Sequence, residues 1–588
     1  MGERMAEEKS DLERGKLRSL SVRNFRCIGS NPVRVDLDDI VVLVGPNNSG
    51  KSSILRAYEI AMSEGATAGK LGIDDFPNSE VNPDQPVEIE LVTEVIFGNP
   101  GKQWLGGLDG KPAALEGRKY VKEKWIWSAP GKGTRFGWNV ETQEWDSKKP
   151  WGYANVANAR RPAVHPVRAF DPPEAQAKQI HNLLSKAILD SAKLLEKDGV
   201  KLYDRILGEI HEFQKLALDH NKGKIEEAET ALNEIVSTIF IDHVVRYVQS
   251  PDASDSVLKL FPDGGKLTMG HKEGHLSDLE SQGSGARRTM LWATLKLLKD
   301  SDADQKKANV LLIDEPELCL HPNAIRDACK VLYDLASKDG WQVMVTTHSP
   351  VFIDLSRDNS TVVRVERKAK GEIVGTTLYR PENAQLSLDD KANLKLLNLY
   401  DPYVGEFFFG GRVILVEGDT EYSAFRMIMD EDKSFPDTHV IRARGKATIA
   451  SLAKILNQFG TTYSILHDTD TPKTNSKNKK TGEEKEIVNP AWTINKNILT
   501  AVEKQIEDRA VRLVASKVHF EAAFFDTALT GEKPYSAIRS LQAEPERKKV
   551  IAQLLKGLID HGAELPEGCL QWSKFSELEA IFPSAGGA

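Results

Sequence analysis

The sequence predicts an α/β chain of two modules: a P-loop nucleotide-binding module carrying a helical insertion, and a smaller C-terminal α/β module. Three observations carry this. An apolar run, Ile40–Val44, leads into Gly45-Pro-Asn-Asn-Ser-Gly-Lys51-Ser52. A second, Val310-Leu-Leu-Ile, ends in Asp314-Glu315-Pro316-Glu317. Two later apolar runs end in Glu417 and in Asp468-Thr-Asp470.

Taken in order, Leu17–Phe25 and Ile40–Val44 read as short strands, followed by the glycine-rich loop and a helix beginning ILRAYEIAM. From Val87 to Trp151 the chain alternates and is rich in tryptophan between turn residues, which predicts antiparallel strands. Between 172 and 240 the pattern turns helical. LLSKAILDSAKLLEKD and KIEEAETALNEIV space apolar residues by three and four, so an αα-hairpin is expected, either a dimerisation arm or a solvated surface hairpin. Strands and helices alternate again from 277 to 359, and residues 386–411 form a connector ending in FFFGG. The expected boundaries are 1–171 and 241–395 for the two parts of the first module, 172–240 for the insertion and 405–588 for the C-terminal module. Within the last, residues 471–489 are polar and charged and read as an exposed loop.

The 588 residues exceed one hydrophobic core, and 40% hydrophobic with 28% charged residues is ordinary globular composition. No apolar run is long enough to span a membrane, and Met1–Lys16 lacks the apolar stretch of a signal peptide. Cys27, Cys319, Cys329 and Cys569 show no CxxC spacing, which argues against a zinc site or disulfide framework and favours a cytoplasmic location. The net charge of −8 leaves nucleic-acid contact to local basic patches. Such residues gather around the second acidic run, as Arg442, Arg444 and Lys446 before it and Lys473, Lys477, Lys479 and Lys480 after it.

The glycine-rich loop matches GxxxxGK[ST] between strand and helix, the context its chemistry needs. Backbone N–H groups around Asn47, Asn48, Gly50 and Ser53 would cradle phosphates at a helix N-terminus. Lys51 would reach the β- and γ-phosphates of ATP and Ser52 would ligate its Mg²⁺. Asp314, at a strand end, would hold the same ion, and Glu315 would polarise the attacking water. Ser281-Gln-Gly-Ser284-Gly285-Ala-Arg-Arg opens a helical run, and Val343-Met-Val-Thr-Thr-His348-Ser-Pro ends another strand. This order resembles the P-loop, signature, Walker B and switch-histidine series of ABC-type ATPases, and SLSVRNFR at 19–26 resembles the RecF and SMC group. The resemblance implies a homodimer in which Ser284 and Gly285 face the ATP bound by the partner.

In the C-terminal module, Val413-Ile-Leu-Val-Glu417-Gly-Asp-Thr-Glu421 reads as strand, turn and helix, with both glutamates on one side. Asp468 and Asp470 end a second strand. Four converging carboxylates repel unless cations join them, and an all-oxygen set favours Mg²⁺ or Mn²⁺. ExxxE followed by DxD resembles a Toprim domain. An RecF-like ABC ATPase followed by a Toprim domain resembles the OLD (overcoming lysogenization defect) nucleases, in style their second, Gabija A-like class. That resemblance implies a DNA endonuclease with two divalent ions in the Toprim site, a further metal contact from Glu521, and a late transition-state lysine. Lys533 is the first choice for that lysine, with Lys556 and Lys574 as alternatives. It also implies a role in anti-phage defence or DNA repair, dimerisation through the ATPase and its insertion, and a UvrD-like helicase partner. The competing reading is a RecF-like ATP-dependent DNA clamp with a silent Toprim domain. A topoisomerase reading lacks a companion domain with a catalytic tyrosine.

Overall fold

The computed structural model describes residues 15–168 except 97–99 and 113–117, and 308–582 except 338–339, 355–356, 358, 368–371, 381–385, 410, 433, 436–437, 460–461, 478–483 and 526–531. Between these it describes 171–178, 180, 195–197, 200–202, scattered positions to 216, 268–270 and 275–300. The chain divides into two units, residues 1–169 with 307–588, and residues 170–306.

The larger unit opens with β1 (Leu17–Arg23), β2 (Val33–Asp36) and the wholly buried β3 (Ile40–Val44). Helix α1 (Lys51–Met62) leaves the glycine-rich loop and carries Ile54, Leu55, Tyr58 and Ala61 into the core. Strands β4 (Val87–Val95), β5 (Lys119–Trp127), β6 (Thr134–Asn139) and β7 (Glu144–Asp146) then form, with β1 and β2, an antiparallel sheet of order β2-β1-β4-β5-β6-β7. In β5, period-two alternation turns Val121, Trp125 and Trp127 inward. The one inward charge, Glu123, is held by Arg135 at 3.0 Å and Arg161 at 2.7 Å.

Strand β8 (Ala163–Val167) precedes the second unit. After it come β9 (Asn309–Asp314), α2 (Pro322–Ala336), β10 (Trp341–Thr346), β11 (Ser360–Arg367) and β12 (Ile373–Tyr379). Their sheet runs β8-β9-β10-β3-β11-β12, parallel except for β12. Buried on both faces, these strands read as continuous apolar runs.

The connector contains α3 (Leu388–Tyr400), whose Ser387 and Asp390 cap each other, and a 3₁₀ segment, Pro402–Phe409. Buried Arg364 of β11 donates to the carbonyls of Phe407 (3.1 Å) and Phe408 (3.0 Å), fixing that segment to the ATPase sheet.

The C-terminal module follows as β13 (Arg412–Val416), α4 (Asp419–Glu431), β14 (Thr438–Arg442), α5 (Lys446–Leu456), β15 (Tyr463–Asp468), β16 (Lys473–Lys477), β17 (Glu484–Val488), α6 (Pro490–Glu507) and β18 (Val511–Ser516). It ends with α7 (Phe520–Phe524), α8 (Lys533–Ala543), α9 (Pro545–Ile559) and β19 (Cys569–Gln571). The sheet order β14-β13-β15-β18-β19, parallel but for β19, reverses direction between β13 and β15. In such sheets the crevice beyond the carboxyl ends at that reversal is the binding site. The described parts of the polar stretch 471–489 are not loop throughout: β16 and β17 pair antiparallel, with Lys473 and Glu486 in an exposed 2.8 Å ion pair. Alternating polar residues that gain nothing from burial still pair when opposite charges meet across the strands.

In the second unit, helix Ser284–Asp300 begins at the predicted signature, and Arg287 donates to Gln176 at 3.0 Å. The predicted hairpin helices lie almost wholly outside the described residues. The end of the first is a correction, since Glu196–Lys197 pairs with Val200–Lys201 as a short β-ladder.

Replacing Arg364 by Met removes the donor to two carbonyls. At about 1–3 kcal/mol per unsatisfied buried group, the variant is expected to unfold at clearly lower urea concentration while purifying as a folded protein. An unchanged midpoint would show that the connector is held by other contacts.

Candidate functional site

Glycine-specific geometry shapes the phosphate loop. Gly45 has φ +134°, and a Cβ there would lie 2.0 Å from the Val365 carbonyl oxygen. Gly50, at φ +98°, caps α1 in a left-handed conformation. Lys51 Nζ donates to the carbonyls of Gly45 (2.9 Å) and Pro46 (2.8 Å), which holds it across the loop. Pro46, Asn47 and Asn48 are exposed, as a phosphate cradle requires. Ser52 donates to Asp314 at 2.8 Å, so the two residues assigned to Mg²⁺ already touch. Ser53 is different: it is buried, with its hydroxyl 3.8 Å from Cys27 Sγ, so only its backbone could serve a phosphate.

Opposite the loop, Thr346 at the end of β10 donates to Asp314 at 2.5 Å, and its carbonyl and hydroxyl both accept from Glu315 N–H at 3.1 Å. Glu315 adopts φ +47°, a strained conformation for a side chain of its size. His348 Nε2 stands 3.7 Å from its carboxylate. Burial, then Lys51, pushes the His348 pKa down, so the imidazole is neutral near pH 7. Glu317, outside the sequence-based assignment, accepts from Thr347 (2.9 Å) and from His348 N–H (2.6 Å), and thereby fixes the histidine segment. Burial pushes its carboxyl pKa up. Lys51, flanked by Glu315, Asp314 and Glu317, is lowered by its own burial. Ser284 and Gly285 open their helix in the other unit.

The second site lies at the sheet reversal. Glu417 follows β13 and Asp468 ends the adjacent β15, and Asp468 N–H donates to Glu417 at 3.1 Å. Glu421, in the first turn of α4, folds back until its oxygen stands 3.2 Å from where a Cβ of Gly418 would be. Glu521, opening α7, accepts from Thr420 at 3.1 Å and from Lys533 at 3.3 Å. Asp468 also accepts from Phe520 N–H at 2.8 Å. Asp470, at φ +59°, is bound by the Lys446 ammonium. All five predicted carboxylates therefore come together, and Lys533 joins them.

Burial, reinforced by Glu417 and Glu421, pushes Asp468 up to about 9. Burial likewise takes Glu421 to about 7 and raises Glu417. Burial opposes ionisation of Glu521 too, but its hydrogen bonds and Lys533 outweigh that and lower its pKa. Among the described residues, no three acidic, histidine or cysteine side chains stand as a preassembled coordination shell. The carboxylates hold backbone N–H groups and lysines instead. An all-oxygen donor set, crowded enough to retain protons at neutral pH, nevertheless fits a hard divalent cation, whose charge would replace those protons.

The family profile of the AAA ATPase domain matches residues 16–94 and 163–353, and that of the overcoming lysogenization defect protein-like TOPRIM domain matches 408–470. The Old nuclease of Escherichia phage P2 is 24% identical over 486 residues, covering 77% of each chain. The OLD nuclease of Thermus scotoductus is 25% identical over 476 residues, 77% of this chain and 82% of the relative. The chain is a homologue of these two OLD nucleases. Among solved structures, an SMC head bound to the C-terminal winged-helix domain of ScpA covers 63% of the chain and 98% of its own at 14% identity, with a TM-score of 0.34.

The basic residues of this OLD homologue do not all face outward. Arg442 donates to Asp401 (2.6 Å) and Asp419 (3.0 Å) and stacks over Tyr422, and Lys446 is buried. Both are corrections to their reading as DNA-facing groups, since their charge is spent on internal carboxylates. Arg444, 3.4 Å from Asp419, is more open. Lys479 and Lys480 lie outside the described residues. His467, buried between the Trp572 indole N–H (3.1 Å) and the Asp468 carbonyl (2.8 Å), is lowered by burial to about 3 and stays neutral. No motif flags it.

The folded metal-free protein binds protons at Asp468 and Glu421 more tightly than the unfolded chain, whose values lie near 3.8 and 4.5. Their stabilising contribution is therefore full below those values and is lost as pH rises toward about 7 and 9. In EDTA the melting temperature is expected to fall over that range, and Asp468→Asn to flatten the fall. Saturating Mg²⁺ should restore the wild type more than the variant. Identical pH profiles for both proteins would remove Asp468 from the crowded set.

Proposed function

We propose that the protein is a metal-dependent DNA endonuclease whose Toprim site is governed by its ATPase module. The observation that carries this reading is the gathering of Glu417, Glu421, Asp468, Asp470 and Glu521 at the reversal point of the Toprim sheet. Homology to the two OLD nucleases supports DNA as the substrate.

Mg²⁺ or Mn²⁺ held by these carboxylates would supply Lewis acidity to a scissile phosphate. Glu417 and Asp468, at adjacent strand ends, set where the phosphorus must lie. Water adds to phosphorus, the bond to one ester oxygen breaks, and that oxygen leaves with a proton. Lys533, half exposed beside Glu521, is placed to meet the phosphate charge. Arg444 and the lysines of the β16–β17 hairpin add screened attraction for the backbone.

In the ATPase, Lys51 and the loop N–H groups bind the triphosphate, Ser52 and Asp314 hold its Mg²⁺, and Glu315 orients water, with His348 beside it. Ser284 and Gly285 of a second copy complete the site, so the working form is a homodimer joined through the ATPase and the 172–240 insertion. Anti-phage defence with a helicase partner is the biological setting we infer for such an assembly.

Incubation with supercoiled plasmid and Mg²⁺ or Mn²⁺ tests the reading. Asp468→Ala and Glu417→Ala are each expected to abolish nicking while the ATPase persists, and undiminished cleavage by both would refute the site. Lys51→Ala should lose nucleotide binding. Glu315→Gln should bind ATP and turn it over at least 100-fold more slowly, in line with removal of a positioned general base; normal turnover would assign the water-polarising role elsewhere.

A further inference from the structure

The acidic cluster contains more negative groups than its position in the fold can hold bare, and two lysines share the load unequally. Lys533 lies on the rim: its side chain is 55% exposed, and water competes for its 3.3 Å contact with Glu521. Lys446 lies inside. Its side chain is 3% exposed, its ammonium binds Asp470 and stands 3.4 Å from the Ala491 carbonyl, and its charge also acts on Glu417 and Asp468.

The surroundings fix that lysine. Lys446 opens α5 directly after Gly445, whose φ of +128° turns the chain out of the β14 end. Gly445 N–H donates to the Glu417 carbonyl at 3.1 Å, which ties this turn to the residue that heads the ExxxE pair. On the other side, Asp470 N–H donates to the Val518 carbonyl at 2.8 Å, and the preceding Thr469 is buried, its carbonyl accepting from Asn495 at 2.8 Å. Ammonium and carboxylate are thus both anchored by backbone bonds, and each is held where the other can reach it.

Resting on the nuclease reading above, we propose that Lys446 is a built-in counter-ion that occupies one of the two cation positions of the cluster. The first divalent ion then binds at Glu417, Glu421 and Asp468, where acid is least compensated. A second ion at Asp470 must displace the ammonium, so the two positions differ widely in affinity. Lys446 is a positioning residue in this account: it presets Asp470 and sets the metal concentration at which the second position fills.

The charge logic is direct. An ammonium in contact with Asp470 cancels most of the attraction that carboxylate has for an incoming dication, and burial of the ammonium limits its screening by water. Removing the positive charge while keeping the stem should strengthen the Asp470 position far more than the other.

The test is Mn²⁺ binding by the full chain, counted from the loss of free-ion EPR signal, for the wild type, Lys446→Met, Asp470→Asn and Asp468→Asn, each first checked for an unchanged circular dichroism spectrum with nucleotide absent. The wild type is expected to bind one ion at least tenfold more tightly than the second. In Lys446→Met the second constant should tighten at least tenfold and approach the first. Asp470→Asn should lose the weak position only, and Asp468→Asn the tight one. If Lys446→Met leaves both constants within threefold of the wild type, the counter-ion role is wrong. If Lys446→Met fails to fold, Asp470→Asn decides: loss of the tight ion in that variant overturns the order of filling. A wild type that binds no Mn²⁺ refutes the metal site itself, an outcome distinct from retained binding that ignores Lys446.

Discussion

Carboxylates delivered to the ends of buried parallel strands cannot stand together without positive charge, and both sites of this protein are arranged around that constraint. In the ATPase, Asp314 ends β9, Glu315 and Glu317 follow it, and all three act on Lys51, whose own burial lowers its pKa. In the Toprim module, the five carboxylates share Lys446 and Lys533. The hydrogen bonds that look like local detail, Thr346 to Asp314 or Phe520 N–H to Asp468, hold acids in register against mutual repulsion.

The two sites also share a frame. Arg364 lies opposite Val44, the last residue before the phosphate loop, and holds the carbonyls of Phe407 and Phe408 in the connector. Gly405 packs so closely on Pro350, just after the His348 segment, that an added Cβ would meet it at 3.2 Å. At the near end of the same 3₁₀ segment, Asp401 takes Arg442, which also grips Asp419 in the turn behind Glu417. Asp390 in α3 binds Ser451 and Lys454 of α5, the helix that begins at Lys446. Contacts therefore run without a break from the histidine segment to the metal-site turn.

Much of this was legible in the sequence because strands buried on both faces advertise themselves as apolar runs, and functional acids sit where those runs stop. Val310–Asp314, Val413–Glu417 and Ser464–Asp468 obey that rule, and Glu421 and Glu521 lie in the first turn of a helix. What the sequence hid is what depends on packing between distant segments. Lys446 and Lys473 are the same residue type in equally polar surroundings, yet the register of α5 buries one while the other stays on an open hairpin. Glu317 reads as an extension of the acidic run, and only the fold shows it bracing His348. Ser53 follows the phosphate-loop pattern, but the helical turn points its hydroxyl at Cys27.

Sheet order explains why the two acidic sites compensate charge differently. In the ATPase, β10 separates the phosphate-loop strand β3 from the acid-bearing strand β9. Two strand spacings, roughly 9–10 Å, leave room for phosphate and its cation between Lys51 and Asp314, with Thr346 of the intervening strand filling the floor. In the Toprim sheet, β13 and β15 are direct neighbours, so Glu417 and Asp468 stand about one spacing apart, near 5 Å. The first geometry binds an anion with one lysine and lets its metal arrive with the nucleotide. The second sets acid against acid, and there a buried ammonium, Lys446, supplies the opposing charge.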